Sequence, residues 1–147
     1  MLDNKICFIG FGNSIRSDDC LGLYIISLLE QKLGSNNNFT FMTLPQIDPA
    51  LAPLLGEYDE IIFIDAAVDI DNEFIFENIF PTRSSGFTTH VFTLAQLMDL
   101  AGSLYRVPVC SLMRVHGYEF GFGEKPSKKG ELAALCAVDA ILSYLYA

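Results

Sequence analysis

No apolar run in this chain of 147 residues approaches the length that a membrane-spanning helix needs, about 20 residues. The longest candidate, residues 21–29, is interrupted by Gly22 and ends at Glu30. Hydrophobic residues nevertheless make up 51% of the sequence, and the mean hydropathy is +0.35. Strands of a parallel sheet are buried on both faces and are therefore almost continuously apolar. The composition thus favours a compact cytoplasmic α/β protein over a membrane protein.

Signs of secretion and of cysteine chemistry are also missing. Residues 1–5 lack the basic start and the small-residue cleavage site of a secretory signal. The cysteines are dispersed, without CxxC or CxxH spacing, at Cys7, Cys20, Cys110 and Cys136. Three of them lie in apolar segments, where a free cysteine behaves as a small buried hydrophobe. We therefore expect neither a disulfide framework nor a cysteine zinc site.

Positive charge is scarce. Nine lysines and arginines stand against 18 aspartates and glutamates, which gives a formal net charge of −9. Nucleic-acid binding requires a basic surface, and so does attraction to an anionic membrane. The charge balance excludes both as partners and is typical of a protein kept soluble by self-repulsion.

Apolar segments of strand length alternate with segments of helical period along the chain. The predicted strands are residues 5–10, 39–44, 60–65, 74–80 (near an edge) and 107–115. The predicted helices are residues 21–33, 49–55 with Asp48 as the cap, 93–105 and 131–144. This alternation predicts one domain over residues 1–147, a three-layer α/β/α fold whose mainly parallel, doubly wound sheet has about five strands, of the phosphorylase/hydrolase-like type.

The first candidate functional segment is residues 10–19 (GFGNSIRSDD), directly after the first strand. Ligands of doubly wound sheets bind outside the carboxyl ends of the strands. A phosphate-binding GxGxxG loop is the weaker interpretation, because Ile15 replaces the third glycine and two aspartates at the helix start would repel phosphate. One aspartate is enough to cap a helix. We assign the helix cap to Asp18 and the functional carboxylate to Asp19.

Two further side chains are expected at the same edge of the sheet. Asp65 closes the most strongly apolar strand, and His90 lies just ahead of the third predicted helix. Taken singly, Asp65 could be a turn cap and His90 a structural histidine. Together with Asp19 they form a set of two carboxylates and one imidazole, which suits a divalent transition metal with positions left open for water or substrate.

In order and spacing, these segments resemble the hydrogenase maturation protease family. That family has a strand followed by a G-x-G-N loop, an acidic pair shortly before a helix glycine, a strand ending in D-A, and a histidine ahead of a helix. The matching residues here are Gly10, Gly12, Asn13, Asp18, Asp19, Gly22, Asp65, Ala66 and His90. The resemblance covers essentially the whole chain, although the aromatic, glycine-rich segment 117–129 matches only loosely. That segment either contacts the substrate or is an ordinary connection.

The resemblance implies a metal-dependent endopeptidase that removes the C-terminal peptide from a nickel-loaded [NiFe] hydrogenase large-subunit precursor. It implies Asp19, Asp65 and His90 as metal ligands, with the nickel supplied by the precursor and cadmium or zinc able to substitute. The substrate-loop candidates are Gly10, Gly12 and Asn13. The chain has no HExxH and no GxSxG motif, so Asp18 is the one candidate general base. The alternative is a non-catalytic, metal-recognising or chaperone-like relative.

Overall fold

The computed structural model describes residues 3–82 and 93–147. The strands within these ranges are β1 (Ile6–Phe11), β2 (Phe39–Leu44), β3 (Glu60–Ala67), β4 (Phe74–Ile79) and β5 (Val109–His116). They form a sheet in the order β2-β1-β3-β5-β4. Each neighbouring pair is parallel except β4 and β5, which are antiparallel. The predicted doubly wound, mainly parallel sheet is confirmed, and the segment expected near an edge is an edge strand.

The helices agree with the sequence prediction in number and order over the described residues. They are α1 (Leu21–Leu33), α2 (Ala52–Leu55), α3 (Leu94–Leu104) and α4 (Lys128–Leu145). Short 3-10 turns, Ser17–Cys20 and Pro49–Leu51, precede α1 and α2. The predicted cap at Asp48 is confirmed, since its side chain accepts a hydrogen bond from the Ala50 N–H at 2.8 Å.

Several boundaries differ from the prediction by one or more residues, and two of these differences bear on the site. The last helix begins at Lys128 rather than at residue 131, because Ser127 caps it by accepting a hydrogen bond from the Gly130 N–H at 3.0 Å. Strand β3 does not end at Asp65 but continues to Ala67, which pairs with His116 of β5. Asp65 therefore lies within the strand, where it pairs with Arg114 of β5, and not at the strand's end.

Each face of the sheet carries its own hydrophobic core. Strand β3 alternates between them, with Ile62 and Ile64 facing α1 and α4, while Ile61 and Phe63 face α2 and α3. All four side chains are fully buried. This two-sided burial explains the high hydropathy without a membrane segment, and no helix within residues 3–82 and 93–147 is long and apolar enough to cross a bilayer.

The cysteines are free thiols, as the dispersed spacing predicted. Cys7, Cys20 and Cys110 are buried, and Cys136 is exposed. Burial raises the pKa of both Cys7 and Cys110 to about 12. The buried thiols therefore act as small apolar core residues.

The strand order reverses at β1, which has β2 on one side and β3 on the other. In doubly wound folds such a reversal opens a crevice outside the carboxyl ends of the two central strands. The chain leaves β1 through the turn that carries Asp19, and Asp65 lies near the carboxyl end of β3. The fold thus brings two of the predicted site residues to one place.

Candidate functional site

Asp19 and Asp65 interact across the crevice between β1 and β3. Burial raises the pKa of Asp65 to about 6; the backbone N–H of Ala66, which donates to its Oδ1 at 2.9 Å, opposes the rise, and the negative charge of Asp19 adds to it. Both carboxylates are partly exposed. Within the described part of the chain, no hydrogen-bond donor reaches the Asp19 side chain, so its oxygens are open to an incoming ligand.

The chemistry of this pair fits a divalent cation. Two carboxylates that destabilise each other's charge in a partly desolvated crevice are stabilised when a cation lies between them, and oxygen ligands suit many divalent metals. His90, the third predicted ligand, lies outside the described residues. Among residues 3–82 and 93–147, no group of three histidine, cysteine or acidic side chains is arranged to hold a metal ion.

The packing of α1 fixes where Asp19 lies. Gly22 in the first turn of α1 rests on the ends of β1 and β3, where a Cβ would stand 2.2 Å from the Phe11 carbonyl oxygen and 2.8 Å from that of Ile64. Real Cβ atoms do not approach other atoms so closely, so only glycine lets the helix come down onto the sheet here. The helix start, and Asp19 with it, is thereby set close to the strand that carries Asp65.

The three predicted substrate-loop residues occupy different environments. Gly10 is buried beneath α1, whereas Gly12 is partly exposed and has a φ of 154°. Asn13 is exposed, and its side chain accepts a hydrogen bond from the Ile15 N–H at 3.1 Å. The Asn13 N–H in turn donates to the Asp19 carbonyl oxygen at 3.1 Å, which ties the loop to the turn that carries the acidic pair. A substrate role for these residues stays a prediction.

Asp18 does not cap α1, contrary to the sequence prediction. Among the described residues, no side chain caps either the Ser17–Cys20 turn or α1. The Asp18 carboxylate is instead fully buried and accepts hydrogen bonds from Tyr118, Glu119 and Ser127. Burial alone would raise the pKa of Asp18, but the hydrogen bonds, led by that from the Ser127 hydroxyl, outweigh burial and lower it. Asp18 is thus an ionised carboxylate with its oxygens engaged by the protein.

The segment between β5 and α4 contacts the turn that carries the acidic pair. This segment matches the family only loosely, and its helix start at Ser127 was not predicted. A serine N-cap with an acidic residue in the first turn, here Glu131, is nevertheless a recognisable helix-start pattern. Two of its aromatic side chains reach solvent: Phe122 is 93% exposed, and Tyr118 stacks on His116 with ring centroids 4.0 Å apart. Lys128 and Lys129, assigned to the loop from the sequence, belong to α4.

The sequence matches no protein-family model and no curated protein. Solved structures do share its fold. The [NiFe] hydrogenase maturation protease HycI from Thermococcus kodakarensis KOD1 is 20% identical with a TM-score of 0.72, covering 98% of this chain and 94% of that one. The hydrogenase maturating endopeptidase HybD from E. coli is 18% identical with a TM-score of 0.77, covering 97% and 92%. A hydrogenase 2 maturation peptidase from Thaumarchaeota archaeon SCGC_AB-539-E09 is 19% identical with a TM-score of 0.71, covering 96% and 97%. The chain therefore has the fold of the hydrogenase maturation proteases, the family that its motifs resemble.

Proposed function

We propose that this protein is a cytoplasmic endopeptidase that removes the C-terminal peptide from a nickel-loaded [NiFe] hydrogenase large-subunit precursor. The observation that carries the proposal is the electrostatic interaction of Asp19 with Asp65 at the crevice between β1 and β3. These are two of the three residues that the motif resemblance assigns to metal binding. The likeness of the fold over nearly the whole length of structures named as hydrogenase maturation proteases supports the same activity.

In this proposal, the nickel arrives with the substrate and is bound by Asp19, Asp65 and His90. When bound, nickel polarises the scissile carbonyl, activates a water molecule or tethers the precursor. The protein contributes two carboxylates in a partly buried crevice, where their attraction to a cation is less screened than in water. Without a cation, the burial of Asp65 and the charge of Asp19 raise the pKa of Asp65 to about 6. Binding of the substrate's metal would therefore displace a proton below about pH 6, whereas at neutral pH the metal would meet an ionised carboxylate.

A mass-spectrometric cleavage assay tests the proposal. A purified nickel-loaded precursor is incubated with wild type, with His90→Ala and with His116→Ala, which removes the chain's other histidine. We expect wild type and His116→Ala to release the C-terminal peptide, and His90→Ala to release none. Cleavage by His90→Ala at the wild-type rate would remove His90 from the site. A wild-type protein that binds several precursors tightly but cleaves none would instead be the non-catalytic relative.

A further inference from the structure

The two consecutive aspartates of the first loop face opposite environments. The Asp19 carboxylate is partly exposed and interacts with Asp65. The Asp18 carboxylate has 0% exposure, although a buried carboxylate is costly unless hydrogen bonds compensate for its lost hydration. Asp18 is one residue before a proposed metal ligand, and local helix capping does not account for its burial.

Four donors from the described part of the chain surround the Asp18 carboxylate. Its Oδ2 accepts from the Tyr118 N–H at 2.7 Å, the Glu119 N–H at 3.0 Å and the Ser127 hydroxyl at 2.7 Å. Its Oδ1 accepts from the Ser127 N–H at 2.6 Å. Gly130, in the first turn of α4, lies so near that a Cβ there would stand 2.6 Å from Oδ1. A negative charge at this helix start is also favoured by the helix dipole.

Backbone contacts extend the junction on both sides of Asp18. The Asp18 N–H donates to the Glu119 carbonyl oxygen at 2.8 Å, and the Ser17 N–H donates to that of Gly123 at 2.9 Å. The Gly123 N–H donates to the Ile15 carbonyl oxygen at 3.0 Å. Residues 15–18 and residues 118–127 are thus bound together at several points, with the buried charge of Asp18 at the centre of the junction.

We propose that Asp18 is a positioning residue: its carboxylate joins the turn that carries Asp19 to residues 118–127 and to the start of α4, and so fixes Asp19 for metal binding. The proposal rests on the proposed function, because it takes Asp19 to be a metal ligand. It replaces the general-base role predicted for Asp18, since a fully buried carboxylate that accepts four hydrogen bonds from the protein has no access to substrate.

Asparagine is the discriminating substitution. It keeps the shape of Asp18 but offers one acceptor oxygen and places an amide NH₂ against N–H or O–H donors. Asp139→Asn is the matched control, because Asp139 is exposed on α4 and the substitution removes the same charge. Ser127→Ala removes one of the four donors, and Ser127→Thr restores a hydroxyl.

The first measurement is amide hydrogen exchange on the metal-free protein. In Asp18→Asn we expect faster exchange both at Tyr118 and Glu119 and at the Asp19 amide, which donates to the Arg16 carbonyl oxygen at 2.9 Å. We expect Asp139→Asn to exchange like wild type. The second measurement is titration with Cd²⁺ alone, for which Asp18→Asn should bind about tenfold more weakly, as when the support of a metal ligand is lost. Ser127→Ala should also speed exchange and weaken Cd²⁺ binding, but by less than Asp18→Asn does. Ser127→Thr should restore the wild-type exchange rates and Cd²⁺ affinity.

The proposal would be overturned if Asp18→Asn bound Cd²⁺ with wild-type affinity, or if its Asp19 amide exchanged at the wild-type rate. If Asp18→Asn does not fold, Ser127→Ala takes its place as the test. Wild-type exchange rates and wild-type Cd²⁺ affinity in Ser127→Ala would then overturn the proposal. The two hypotheses fail separately. A wild-type protein that binds Cd²⁺ but cleaves no precursor refutes the proposed function alone, whereas unchanged exchange refutes the positioning role even if cleavage is found.

Discussion

Gly22 lies against the carbonyl oxygen of Phe11 so closely that a Cβ on Gly22 would stand 2.2 Å from that oxygen. The same Cβ would stand 2.8 Å from the carbonyl oxygen of Ile64, the residue before Asp65. Gly22 therefore places the helix that follows Asp19 directly against both strands that border the crevice.

Gly22→Ala should lower the free energy of unfolding by about 1–3 kcal/mol, the usual cost of overpacking a buried site. The clash is with backbone atoms, which cannot rotate away as a side chain can. Gly121→Ala is the control, because a Cβ at Gly121 meets nothing within 4 Å. Urea denaturation of the two variants measures the difference, and equal stabilities would show that α1 does not rest on the sheet as described.

The metal-free protein should lose stability as the pH rises through the titration of Asp65. The pKa of Asp65 is raised from 3.8 to about 6 in the folded state, so folding favours the protonated carboxyl. This contribution is complete below the unfolded-state pKa and is lost as the pH rises through the folded-state pKa. Each pH unit that separates the two pKa values corresponds to roughly 1.4 kcal/mol. Asp65→Asn should therefore be more stable than wild type at neutral pH, on the order of 3 kcal/mol.

Thermal or urea unfolding of wild type and Asp65→Asn across this pH range checks the sign. The difference in stability should grow with pH between the two pKa values, because only wild type acquires the charge. Asp19→Asn supplies the control, since removing its charge should lower the pKa of Asp65 and weaken the pH dependence. A difference that is constant with pH would contradict the assignment.

Thr93→Ala should lower the free energy of unfolding by about 1 kcal/mol, the usual cost of losing an N-cap. The Thr93 hydroxyl accepts from the Gln96 N–H at 3.1 Å, and the Gln96 side chain accepts from the Thr93 N–H at 2.8 Å. Gln96→Ala breaks the second bond alone, so the double variant should be less destabilised than the sum of the two singles. Strict additivity in urea denaturation would argue against this capping box.

Native protein should react with a thiol reagent at one cysteine. Cys136 is exposed on α4, whereas Cys7 and Cys110 are buried with pKa values raised by burial to about 12. Cys20 is also buried, and burial followed by the charge of Asp18 raises its pKa. Because the thiolate is the reactive form, these three should be modified only after unfolding. Peptide mapping after alkylation would show a second native site if this burial pattern is wrong.

The helices and strands that were predicted well are those marked by residues within the element or next to it. Continuous apolar runs marked β1 and β3, because both faces of these strands are covered. The predicted end of α1 at residue 33 is confirmed; Gly34 follows it, and its N–H donates to the Glu30 carbonyl oxygen at 3.0 Å. Asp48 marked the start of the second helix as its side-chain cap. Thr93, predicted as the first residue of the third helix, is its N-cap.

The elements that the sequence did not predict depend on distant residues. A tandem aspartate before a helix has the local pattern of a cap, but the partners of Asp18 lie in another part of the chain. Strand β3 extends past Asp65 because Ala66 and Ala67 pair with β5, and two small residues carry no strand signal of their own. The assignment of Asp18 to the helix cap was wrong for this reason, and the assignment of Asp19 as the functional carboxylate stays a prediction.

The Asp18 junction also sets when the site can form as the chain is made. The donors to Asp18 follow it by 100, 101 and 109 residues. A ribosome releases the chain from its N-terminus, so Asp18 and Asp19 emerge long before the segment that holds them in place. The proposed metal ligand at position 19 is consequently unsupported in any nascent chain shorter than about the first turn of α4. If Asp18 has the proposed positioning role, full metal affinity would be reached only in chains whose synthesis has passed Ser127.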